Sequence, residues 1–223
     1  MFWVLISLLL GWLIFREFPS TTAAPLDLPQ SKKVWTAYIY VLVALALLSL
    51  WQPVHTWLFQ RHLSAIATEL ADSHVAHVHC NSVIDTLFDP ESTNIGHASP
   101  GSGEIAFQYP WCNTLMAYLR HPERADRDEL SSLGLLTHES MHVRGELNDA
   151  RTECEAVQRN FRTAQLLGVP IRIAKRNALD YYNSIYMLRA LKEGDPDRYF
   201  SDQCAPGRKL DERLSDSSWS SHY

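Results

Sequence analysis

The chain of 223 residues has no basic tract: 20 Lys and Arg face 25 Asp and Glu, for a net charge of −5. Without clustered positive charge there is no electrostatic footprint for a polyanion, so nucleic acid is excluded as the expected partner. Charge is missing altogether from two apolar runs, MFWVLISLLLGWLIF (1–15) and VWTAYIYVLVALALLSLW (34–51). Cysteine is missing from both runs and from the loop between them. No internal repeat is present, which excludes a solenoid.

The second run has the roughly 18–20 apolar residues that a helix needs to cross a hydrocarbon core. Trp35 and Trp51 frame it as interfacial aromatics do. The first run is short for a span. Nothing basic precedes it, which argues against a signal peptide, although TTAA at 21–24 offers a cleavage site and keeps that alternative open. The expected arrangement is a transmembrane hairpin over 1–51, with spans at 1–15 and 34–51 and a connecting loop at 16–33. That loop carries Arg16, Lys32 and Lys33, so the positive-inside rule places it in the cytoplasm and everything after about residue 52 outside. The lipid bilayer is thus an expected partner. The sequence says nothing of the oligomeric state.

Cys80, Cys112, Cys154 and Cys204 all fall in the outer part, and an even set in an oxidising compartment predicts two disulfides. Four cysteines allow three connectivities. Cys80–Cys112 with Cys154–Cys204 is the favoured one, because each pair ties a chain end to the element it must pack on. Residues 52–79 read as a stalk helix with an apolar face of Leu58, Leu63, Ile66, Ala67 and Leu70. His55, His62, His74, His77 and His79 lie along it. A second metal site is one reading of that run, and a solvated helix face is the favoured one.

A domain is expected over 80–205. SVIDTLF (82–88), NIGHA (94–98) and GEIAFQY (103–109) read as three short antiparallel strands separated by turn-forming stretches. Helices follow at 111–121, 127–144, 148–167 and 171–193, with Gly145, Gly168 and Pro170 as stop signals. The polar residues 206–223 read as a disordered tail. The fold class is therefore α+β: two N-terminal transmembrane helices, then a mainly helical domain with a small antiparallel sheet.

Within the helix at 127–144, His138-Glu139-Ser140-Met141-His142 is H-E-x-x-H. Histidines four apart project from one face, one turn apart. They can bind one metal ion, and Glu139 can reach a water on its open side as general base. The bland alternative is two histidines bonded within a helix–helix interface. A third ligand must come from Glu146, Asp149, Glu153 or Glu155. Glu146 is too close to the turn, and Glu155 is on another face. Asp149 and Glu153 share a face, one as ligand and the other as partner to a ligand histidine, and both assignments stay open.

The stretch 138–156 resembles the zincin metallopeptidases. In the glutamate-ligand branch, H-E-x-x-H is followed by N-E-x-x-[ST]-[DE]. Asn148-Asp149-Ala150-Arg151-Thr152-Glu153 is similar, with Asp in the ligand position. In the metzincin branch a glycine stands where Gly145 does, but Asn148 occupies the place of the third ligand. The resemblance implies a zinc ion on His138, His142 and Asp149, Glu153 buttressing a histidine or replacing Asp149, and Glu139 as the base. It implies a membrane-anchored zinc metallopeptidase acting on a peptide or protein substrate, which GEIAFQY aligns as an added strand. Tyr181, Tyr182, Tyr186 and His97 are the candidates for stabilising the oxyanion. The alternative is a catalytically inactive zincin-fold module that binds or assembles at the membrane.

Overall fold

The structure, a computed structural model, describes residues 2–17, 29–190 and 198–219. Most of the expected loop at 16–33, the end of the expected fourth helix (191–193) and the last four residues of the tail lie outside the described residues. The chain divides into two compact units, Met1–Phe59 and Gln60–Tyr223.

The first unit consists of helix α1 (Phe2–Glu17) and the leading part of α2 (Pro29–Leu70). The Oγ atoms of Ser7 and Ser49 lie 2.7 Å apart. Apolar side chains such as Leu5, Leu8, Phe15, Tyr40, Leu47, Leu48 and Trp51 stand exposed. Among the described residues one helix, Thr36–Leu70, is long and apolar enough to cross a membrane, and Val4–Arg16 is a shorter apolar helix. The expected pair of spans therefore stands as one candidate span and one short apolar helix. At 1.5 Å per residue the shorter one falls below a hydrocarbon core of about 30 Å.

The second unit begins within α2, whose last turns bury Leu63, Ile66, Ala67 and Leu70. The expected stalk helix to residue 79 thus ends at Leu70, and the chain turns into strand β1 (His77–Cys80). His77 and His79 point outward from this strand while Val78 is buried, so these two lie on a strand face, while His55 and His62 are exposed on α2 as expected and His74 follows the helix. SVIDTLF is helix α3 (Val83–Phe88), not a strand. The Ser82 hydroxyl accepts from the Asp85 N–H, and the Asp85 carboxylate accepts from the Ser82 N–H. This reciprocal cap outweighs the β preference of Val83 and Ile84.

Strands β2 (Gly96–Ser99) and β3 (Glu104–Phe107) complete a sheet of order β1-β3-β2. It is mixed, not antiparallel: β2 pairs antiparallel with β3, but β1 pairs parallel with it, because α3 and β2 form the connection between them. Four helices follow: α4 (Trp111–Arg120), α5 (Arg127–Arg144), α6 (Asp149–Leu166) and α7 (Ile171–Tyr181). A π-helical turn at Tyr182–Tyr186 and a short α8 (Met187–Arg189) continue α7. The α5 sequence is buried nearly all round, from Leu130 to Val143, so this helix is the centre of the unit.

Two disulfides, Cys80–Cys112 and Cys154–Cys204, are formed, in the favoured connectivity. The tail differs from expectation. Residues 206–219 pack on α6, where Glu212 takes a bidentate pair from Arg159, Asp216 pairs with Arg162, and the buried Ser218 hydroxyl donates to the Val157 carbonyl. Its polar residues are partners for the charged face of α6, so polarity here does not mean solvation.

Candidate metal centre

α5 starts on an Asp126–Glu129 capping box and stops at Gly145, whose φ of 118° is a left-handed conformation that favours glycine. That reversal brings the first turn of α6 back beside the last turn of α5. The Glu146 side chain braces the reversal by accepting from the Leu147 and Asn148 N–H groups. Asn148 then caps α6 by accepting from the Arg151 N–H at 3.0 Å. Asp149 is left as the first residue of the helix, where the dipole favours a carboxylate.

The result is a cluster of His138, His142 and Asp149, whose donor atoms lie within 4.8 Å of one another and can hold a metal ion. The hydrogen bonds define which atoms face the centre. His138 Nδ1 lies 2.8 Å from a Glu153 carboxylate oxygen, and His142 Nδ1 lies 2.7 Å from the Glu146 carbonyl oxygen. Both partners only accept, so each Nδ1 carries the hydrogen. Each neutral imidazole then turns a bare Nε2 inward. The two Nε2 atoms stand 3.1 Å apart, and Asp149 Oδ1 is 3.4 Å from His142 Nε2. With both rings neutral, three lone pairs converge, a donor set that suits a cation.

Glu153 holds the far side of His138. It is fully enclosed and takes a hydrogen bond from the Tyr181 hydroxyl at 2.6 Å and an ion pair from Arg189 at 3.2 Å. Burial opposes its charge, but the His138 hydrogen bond and the Arg189 charge outweigh burial and hold its carboxyl below the usual range. Burial pulls His138 down, yet the Glu153 hydrogen bond and charge leave it raised overall. His142 is lowered by burial and by the neighbouring His138. Tyr181, also enclosed, is raised far above its ordinary value by burial and by the Glu153 charge.

Glu139 differs from the other acids among the described residues. It is buried, and its Oε2 has no hydrogen-bond partner among the described residues. Burial pushes its carboxyl up to about 7. It lines, with His138, two adjoining clefts of about 440 and 260 Å³. Thr93, Asn94, Gly96, Trp111 and Tyr199 are among the residues that line the larger. Glu146 and Glu155 stay out: the first braces the turn and the second pairs with Arg144 and Arg151.

Of the tyrosines considered for the oxyanion, Tyr181 is committed to Glu153, Tyr186 donates to the Ser201 carbonyl, and Tyr182 stacks on Tyr186. His97 lines the smaller cleft. Arg198 and Tyr199 stand beside the ligands with no sequence signal to announce them. The Arg198 Nε is 3.3 Å from Asp149 Oδ2, and the Tyr199 ring meets His138 edge-on at 5.5 Å. Gly134 was equally unmarked as a site residue, although a glycine in the middle of a helix one turn before a ligand is itself a sign of close approach. The strand expected to receive a peptide, GEIAFQY, is the central strand of the sheet with both edges paired. β2 is the strand beside α5 whose outer edge has no neighbour among the described residues. Neither known protein families, nor curated proteins, nor solved structures contain a match to this chain.

Proposed function

We propose that this chain is a membrane-anchored zinc metallopeptidase with its catalytic unit on the extracytoplasmic side. The observation that carries this reading is the convergence of His138 Nε2, His142 Nε2 and Asp149 Oδ1 beside a buried, unpartnered Glu139 carboxyl. Two imidazoles and one carboxylate form a donor set that zinc takes readily. A bound zinc would supply Lewis acidity and a water of lowered pKa.

The chain's own groups divide the remaining work. Glu139 takes a proton at its carboxylate and returns it to the leaving amine, and a carboxyl near 7 is matched to both halves of that task. Glu153 fixes the His138 ring and keeps its hydrogen on Nδ1. Arg198, reaching from the far side of Asp149, is the group we assign to the developing oxyanion. β2 offers its open edge to an extended peptide, in place of the central strand expected from the sequence. Two disulfides and one apolar helix agree with an anchored unit in an oxidising compartment.

The test is cleavage of a peptide library by the purified full-length chain, with metal content measured in parallel. Cleavage that a chelator blocks and zinc restores is expected, with Glu139→Gln inactive yet still metal-loaded. Metal without cleavage would favour an inactive zincin-like binding module.

A further inference from the structure

Helix α3 is built to stay folded and yet buries none of its residues. Val83, Ile84, Leu87 and Phe88 are 50, 66, 73 and 84% exposed. The segment is not loose. Asp85 closes the cap with Ser82, Asp89 accepts from Asn81 and Gln108, and the Cys80–Cys112 disulfide anchors the chain just before it. Tyr109, 48% exposed, joins the same surface, its N–H donating to the Thr86 hydroxyl. Both acids are engaged with the chain itself, so the helix presents a rigid knob of large apolar side chains beside one capped carboxylate, Asp85. Such a patch marks an interaction surface.

The register of the sheet says where the knob lies in its unit. The Ala76 N–H donates to the Thr68 hydroxyl and the Val78 N–H to the Ser64 hydroxyl, each at 2.9 Å. Two residues forward in β1 therefore match four residues back in α2, a travel of about 6–7 Å in each. β1 runs back toward Gln60, and the Asn81 N–H bond to the Phe107 carbonyl carries the pairing further the same way. α3 begins there. β3 is parallel to β1, so Tyr109 beyond its end lies at that end too. β2 is antiparallel, so the exposed Ile95 before its start does as well. The apolar residues thus gather at the end of the unit where the chain enters it, and the chain enters it through a helix long and apolar enough to cross a membrane.

We propose that this end of the unit, with α3 at its centre, seats in the interface of the lipid bilayer as an apolar wedge. The proposal rests on reading α2 as a membrane span. Val83–Phe88 carries no Lys or Arg, and its one carboxylate, Asp85, is tied into the Ser82 cap, so contact with lipid runs through the apolar side chains and zwitterionic lipid is sufficient. Tyr109 has the amphipathic ring favoured at headgroup depth.

The full chain is reconstituted in phosphatidylcholine vesicles containing a lipid with an acyl-chain diazirine, irradiated, digested and mapped by mass spectrometry. Label is expected in a peptide from 36–58 and in the peptide covering 83–88. Ile84→Asp with Leu87→Asp removes the second label and leaves the first, with both disulfides intact. Label in 36–58 alone in the unaltered chain overturns the wedge and keeps the span. Label in neither overturns the span itself. An amine-independent photocrosslink from 83–88 to a second copy of the chain, in place of lipid label, assigns the patch to a dimer and overturns the bilayer proposal.

Discussion

Tyr181 packs its ring against the bare Cα of Gly134: a methyl group at residue 134 would fall 2.5 to 2.7 Å from the ring and its hydroxyl. Gly134 lies one helical turn before His138, and the same tyrosine hydroxyl holds Glu153, which holds His138. Gly134→Ala is therefore expected to push Tyr181 away from Glu153, and overpacking of this kind costs about 1–3 kcal/mol. Tyr181→Phe keeps the ring and removes only the hydrogen bond. Thermal unfolding should show the larger loss for Gly134→Ala, and metal titration should show weakened binding in both. An unchanged metal affinity in Gly134→Ala would mean the chain from 134 to His138 is not coupled.

The roles of Asp149 and Glu153 separate by metal affinity. Glu153 bonds to the outward nitrogen of His138, and removing such a partner lowers metal affinity about 10–100-fold. Glu153→Gln should fall in that range. Asp149→Ala, which removes an inward oxygen, should fall further. Competition titration with a chromogenic chelator measures both, and the reverse order would make Glu153 the ligand.

Much of this site was legible before any fold was known. His138, Glu139 and His142 announce themselves by spacing, and Gly145 and Asn148 mark a helix end and a helix start that bring Asp149 back to them. The sequence favours Asp149 over Glu153 by resemblance alone. Both sit on one face of α6, and only the Nδ1 and Nε2 directions of His138 distinguish them. Tyr181 stood among three other candidates because its partner depends on a glycine on another helix. α3 departs from the expected strand because Val83, Ile84 and Phe88 favour β structure while the Ser82–Asp85 cap decides for a helix. β1 leaves little trace in the sequence because a four-residue strand has too little alternation to stand out behind a long helix. Arg198 and Tyr199 reach the site from far along the chain through tertiary anchors, which no local pattern encodes.

Those anchors give a third expectation. Ser201 is held by Tyr186 through two hydrogen bonds, and Cys204 by Cys154, next to Glu153. Arg198→Ala should leave metal binding nearly intact while lowering kcat by about 10²-fold, the scale of losing one oxyanion donor. Cys154→Ser with Cys204→Ser should reproduce that loss and also lower stability by about 2–4 kcal/mol. Full activity in the double variant would show that Arg198 is placed without the disulfide.

The packed tail should respond to acid. Burial works against the charges of Glu212 and Asp216, but hydrogen bonds from Arg159 and Arg162 outweigh it, so both carboxyls are lowered. A lowered folded-state pKa gives stabilisation that is complete above the unfolded value, about 4, and is lost as the pH falls through the folded value. Amide exchange at 210–219, after correction for intrinsic rates, should accelerate at low pH while the centre of α5 stays protected. Uniform protection of both segments would show that the ion pairs do not hold the tail.

The reversal at Gly145 also bears on how the chain folds. All three inward-facing donors lie between residues 138 and 149, on one helix end, one tight turn and one helix start. Closing so short a loop costs little chain entropy compared with bringing distant segments together. A metal ion can thus be captured by the α5–α6 corner before the sheet has paired or either disulfide has formed. Binding would then favour the nascent corner over competing arrangements, which would make a bound metal an early organiser of the unit.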